Sequence, residues 1–138
     1  MKLNQDCLRA VLLYLEANCG YEEDSSKVKC IGFRKVCNAE ELQDYNYDDI
    51  IYCIEKLFEA NYINGTCSFS APNTGLVKAD IYSLTMEGHN LIDTISNETI
   101  WNGIKEKLKT AGKVSVPIIS TIAGRLGSEY LMEVLKMK

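Results

Sequence analysis

Tyr47–Ile63, YDDIIYCIEKLFEANYI, and Ile81–Ile95, IYSLTMEGHNLIDTI, decide how this chain is read. In the first, Ile50, Ile51, Ile54, Leu57 and Phe58 recur at three- and four-residue spacing, the mark of one helix face. Tyr47 joins that face, and Asn46-Tyr47-Asp48-Asp49 opens the helix with an asparagine cap and acids in the first turn. Asn61 suits the left-handed turn that closes a helix, and Tyr62-Ile63 begins a strand. The second stretch runs the other way: strand residues to Leu84, then Thr85 as a cap, then a helix with Leu91, Ile92 and Ile95 inward. Gly88 permits close packing against a neighbour. Thr66–Ser70 alternates polar and apolar residues as a half-buried strand does, and Ala71-Pro72-Asn73-Thr74-Gly75 is a turn by composition. Helix, strand, loop, strand and helix in this order spell a winged helix, with residues 71–75 as the tip of the wing.

Upstream, Asn4 caps a helix from Gln5 to about Asn18 whose inward stripe is Leu8, Val11, Leu12 and Leu15. Lys27–Val36, KVKCIGFRKV, favours a short strand bulged at Gly32. Asn38-Ala39-Glu40-Glu41 is a capping box that opens a short helix ending near Asp44. So tight a step to the helix at Tyr47 makes a helix-turn-helix pair. Downstream, Glu98–Ala111 reads as an amphipathic helix with Trp101, Ile104, Leu108 and Ala111 inward, stopped by Gly112. Ser115 caps a last helix to about Met137, with Ile119, Ile122, Ala123, Leu126, Tyr130 and Val134 as its stripe. Gly124 and Gly127 weaken its middle, and a break is expected near Gly127-Ser128. The fold class is therefore α+β and mostly helical: a winged helix-turn-helix over residues 1–97 and a C-terminal helical extension over 98–138. The extension must bury its apolar stripe on that body or on a second copy.

The 138 residues suffice for a hydrophobic core, and 46% hydrophobic with 25% charged residues is an ordinary globular balance. No apolar run reaches membrane-spanning length, Val114–Gly124 being short and interrupted, and MKLNQDCLRA lacks the apolar centre of a signal peptide. A soluble, cytoplasmic protein without a membrane partner is expected. The six cysteines, at positions 7, 19, 30, 37, 53 and 67, form no Cys-x-x-Cys pair, and the one histidine, His89, is remote from them. They read as reduced and mostly buried thiols, and no metal site is expected. His89 has no visible partner, the acids are scattered, and no phosphate loop or nucleophile elbow occurs, so neither an enzyme nor a cofactor is expected.

The start MKLNQDCLRAVLLYLE, the middle LTMEGHNLIDTI and the continuation WNGIKEKLKTAGKVSVPIISTIAGRL resemble a family of uncharacterised bacterial and phage proteins, a domain of unknown function related to the YjcQ-like proteins. The resemblance runs nearly end to end, most specifically at Leu84-Thr85-x-x-Gly88-His89 followed by Trp101. It implies a winged-helix fold, a cytoplasmic location and a phage or prophage setting, and it brings no catalytic residues.

Two functions of different class follow. The first is a DNA-binding, regulator-like module, since winged helices most often read DNA; this is fold analogy. Docking would use the second helix of the pair, whose outward residues are Asp48, Asp49, Tyr52, Glu55, Lys56 and Glu59. Their formal sum of −3, in a chain of net charge −4, opposes a duplex unless flanking cations outweigh it. The residues assigned to nucleic acid are Arg34, Lys35, Tyr52, Lys56 and Lys78. Lys27, Lys29, Lys105, Lys107, Lys109 and Lys113 add to the basic patches, although a charge run is usually a solvated face. The second function is a protein-interaction or dimerisation module without DNA binding, its interface assigned to Trp101, Ile119, Leu126 and Tyr130. The partners expected are thus double-stranded DNA, a second copy of the chain, or another protein.

Overall fold

Local caps set most of the helix starts. In the computed structural model, which describes residues 1–23, 26–69, 76–112 and 114–136, helix α1 spans Gln5–Asn18. The Asn4 Oδ1 accepts from the Cys7 N–H at 3.0 Å and satisfies one of its free donors. A two-residue strand β1 (Ile31–Gly32), a five-residue helix α2 (Phe33–Cys37) and a 3₁₀ turn (Glu40–Leu42) lead to α3 (Tyr47–Glu59). Strands β2 (Ile63–Phe69) and β3 (Leu76–Leu84) then pair antiparallel, and α4 (Met86–Ile95), α5 (Glu98–Ala111) and α6 (Val116–Lys136) complete the described chain. The result is an α+β, mostly helical protein with one three-stranded antiparallel sheet in the order β1-β3-β2.

The β2–β3 register sets Ile63 opposite Leu84, Thr66 opposite Asp80 and Ser68 opposite Lys78. The wing tip expected at residues 71–75 lies outside the described residues. Asn61 does take the left-handed conformation, φ 63°, and closes α3: its N–H bonds the Phe58 carbonyl, and the Tyr62 N–H reaches back to Leu57. Thr85 caps α4 by accepting from the Gly88 N–H at 3.1 Å, while its hydroxyl donates to the Asn61 carbonyl at 2.9 Å. Gly88 is required there, since a Cβ at that position would lie 2.1 Å from the Tyr62 carbonyl oxygen. One core joins Leu8, Leu12 and Leu15 of α1 to Ile54 and Leu57 of α3, Ile81 of β3, Ile92 of α4, Ile104 of α5 and Ile119 of α6.

Five local readings are corrected. Lys27–Val36 is not one bulged strand: only Ile31 and Gly32 pair with β3, and the following residues turn helical to bury Phe33, Val36 and Cys37 at helical spacing. The Asn38 capping box does not form; Asn38 instead ends α2, and its side-chain oxygen accepts from the Tyr47 hydroxyl. That bond holds Tyr47 outward, 51% exposed rather than in the core. Ala111 is exposed at the end of α5 rather than inward. Finally, α6 runs unbroken through Gly127, where a Cβ would sit 3.0 Å from the Thr94 methyl of α4. The glycine serves a close helix crossing, which offsets its poor helix propensity.

Candidate interaction surfaces

Because α3 turns Ile50, Cys53, Ile54 and Leu57 inward, its far side presents Asp48, Asp49, Tyr52, Glu55, Lys56 and Glu59. The single cation there is already engaged. Lys56 Nζ lies 2.9 Å from Glu59 Oε2 and 5.3 Å from the centroid of the Tyr52 ring. The hydrogen bond to Glu59 is the main cause holding its ammonium above the ordinary range. Tyr52, Lys56, Glu59 and Ala60 form one wall of a groove of about 360 Å³, opposed by Leu3 and by residues 114–117, the approach to α6. Tyr52 and Lys56 are therefore brought together, half-buried, beside the C-terminal extension.

The other assigned cations lie elsewhere. Arg34 and Lys35 are exposed on α2, the Arg34 guanidinium 5.7 Å from the centroid of the Phe33 ring. Lys35 lines a separate groove with Lys29, Glu22 and Glu23. Lys78 projects from β3 at 3.8 Å from Asp80 Oδ2. Residues 1–97 hold eight Lys and Arg against fifteen Asp and Glu, a net −7; residues 98–138 hold seven against four, a net +3. The basic excess thus belongs to the extension.

Of the residues assigned to an interface, Trp101 and Ile119 sit in the chain's own interior, Leu126 is half-buried and Tyr130 is 39% exposed. Trp101 is enclosed by α1. Its indole N–H donates to Asp6 Oδ1 at 3.0 Å, and Lys105 Nζ stands 3.3 Å from the same oxygen. Arg9 lies over the ring at 5.7 Å and donates to the Ile95 and Ser96 carbonyls at 2.8 and 3.0 Å, a cation set at the negative end of α4. The bare apolar surface is further along α6, at Leu131, Met132 and Leu135, which are 58%, 58% and 57% exposed. The expected stripe through Leu126, Tyr130 and Val134 concealed these residues. The signal was in the sequence: Leu131, Met132 and Leu135 give the end of the helix a second apolar face, which a solvated helix would not carry.

All six thiols are free; Cys7, Cys37 and Cys53 are buried, Cys19 is half-buried, and Cys30 and Cys67 are exposed, so burial is less general than expected. Among the described residues no cluster of three or more His, Cys, Asp or Glu has a metal-holding arrangement. His89 is exposed on α4 and borders a groove beside Tyr21 and Tyr82. No helix among the described residues is long and apolar enough to cross a membrane.

Fold and surfaces together define a small, mostly helical α+β protein whose most evident unfilled surface is apolar. The chain belongs to the family described as Hypothetical protein (DUF2513), whose model matches residues 2–114 and so ends just before α6. A protein of Haemophilus influenzae, described as an uncharacterized protein, is 28% identical over 132 residues, covering 95% of this chain and 99% of its own. No solved structure matches the chain.

Proposed function

We propose that this protein is a winged-helix module that works through protein contacts and does not read duplex DNA with α3. Support for the winged helix comes from the succession α1-β1-α2-α3-β2-β3, with the sheet order β1-β3-β2. The observation that carries the functional reading is the outer side of α3. It bears four acids and one lysine, that lysine is bound to Glu59, and the segment entering α6 runs alongside it. Phosphate attraction dominates duplex affinity, and a helix of this charge on a body of net −7 repels phosphates. A DNA-binding regulator is the second reading, favoured by the exposed Arg34 and Lys35 on α2.

The test is fluorescence anisotropy with a labelled mixed-sequence duplex across a salt series. No binding is expected even at low ionic strength. Affinity that falls steeply with salt, with a flatter slope in Arg34→Ala or Lys35→Ala, would overturn the proposal in favour of DNA.

A further inference from the structure

We propose that the exposed end of α6 is a self-association surface, on which two copies pair antiparallel through Leu131, Met132 and Leu135. This rests on the protein-contact reading above and names a second copy of the chain as the partner.

The surface is defined by what α6 does not bury. Ile119 and Ala123 face the chain's own core, whereas Leu131 and Leu135 lie roughly a third of a turn or more around the helix, and Met132 lies opposite. Met132 and Leu135 lie about 60° apart on a single stripe, continued N-terminally by Ser128, with Leu131 at its edge. Nothing within the described chain covers them.

Charge selects the occupant. Glu129 and Lys136 flank the apolar stripe, both exposed, and neither has an ion pair among the described residues. In an antiparallel pair with its two-fold axis near Glu133-Val134, Met132 of each copy meets Leu135 of the other, with Leu131 at the edge of the contact. The same register brings Glu129 of each copy to Lys136 of the other, so apolar and ionic matches arise together and each occurs twice. A parallel pair instead turns Lys136 toward Leu131 of the partner and leaves Glu129 without a cation. Such self-complementarity is what a two-fold interface requires. Three large side chains fall short of the ~800 Å² per partner of a standard interface, so the association is weak and reversible.

The test is sedimentation velocity of the full chain over a concentration series. The mass is expected to rise from one chain toward two. Leu135→Glu holds the protein at one chain throughout, with an unchanged circular-dichroism melt at low concentration. Glu129→Lys and Lys136→Glu each weaken association about fivefold. The double variant, which exchanges the charges, recovers it; a hetero-partner or a lipid surface gives no such recovery. A one-chain mass at the highest soluble concentration overturns self-association, as does a double variant no stronger than the singles. If that happens while duplex DNA still fails to bind, the protein-contact reading stands and only the choice of a second copy has failed.

Discussion

Helices α3 and α6 both read from sequence as amphipathic, yet they end in different surroundings. In α3 both termini are closed, by the Asn46 side chain at one end and the left-handed Asn61 at the other. Its inner face is enclosed by α1, α2 and β2, so Ile50, Cys53, Ile54 and Leu57 are fully buried. In α6 the first half resembles this, with Ile119 and Ala123 buried against α4 and α5. The second half does not. At 21 residues α6 is longer than its neighbours α5 and α4, of 14 and 10 residues, so at a rise of ~1.5 Å per residue it outruns both. An apolar stripe specifies which side of a helix is to be covered, and only a neighbour of sufficient length covers it.

The sharpest way to break this comparison is to remove side chains along it. Leu57→Ala in α3 and Ile119→Ala in α6 are each expected to cost about 2–5 kcal/mol, since both leave cavities in a closed core. Urea unfolding measures this, and a markedly smaller loss at Ile119 would mean that even the first half of α6 is loosely held.

A smaller, pH-dependent effect is expected in α3 and not in α6, which carries no cysteine. The hydrogen bond with Cys7, followed by burial, pushes the Cys53 thiol above its ordinary 9.0. A raised folded value means that the stabilisation is complete below pH 9.0. It declines above that, because the unfolded chain ionises while the folded one does not. With thiols kept reduced, stability should fall by about 1.4 kcal/mol per pH unit for this group, and Cys53→Ala should flatten the decline. An unchanged pH profile in that variant would show that the inner face of α3 is wetter than its burial implies.

The smallest effect is expected at the far end of α6. Leu135→Ala, measured at a concentration where the chain is monomeric, should change stability by less than about 0.5 kcal/mol. A loss comparable to that at Ile119 would place an intramolecular neighbour over it and erase the contrast.

Where the signals were local, the fold was legible. Asn4, Asn46, Thr85 and Ser115 each cap the helix that follows, because the side-chain oxygen and the N–H it satisfies lie three residues apart. Strands β2 and β3 were legible from alternation and the turn residues between them. Legibility failed where one pattern had two uses. Phe33, Val36 and Cys37 suit a strand by composition and a helix by spacing, and burial decided for the helix. Asn38 heads an apparent capping box, but the end of α2 and the Tyr47 hydroxyl claim it instead. Of the assigned site residues, Tyr52 and Lys56 do share one groove, whereas Arg34, Lys35 and Lys78 are scattered.

The sequence by itself determined where most of the longer helices begin and which residues want cover, because caps and periodicity act within a turn or two of backbone. Only the tertiary structure decided what supplies that cover. Asp6 meets Trp101, 95 residues away, and Arg9 meets the end of α4, 86 residues away; no local pattern announces either bond. The same holds for the bare end of α6. Burial depends on which elements stand opposite, and that is fixed only when segments distant along the chain come together.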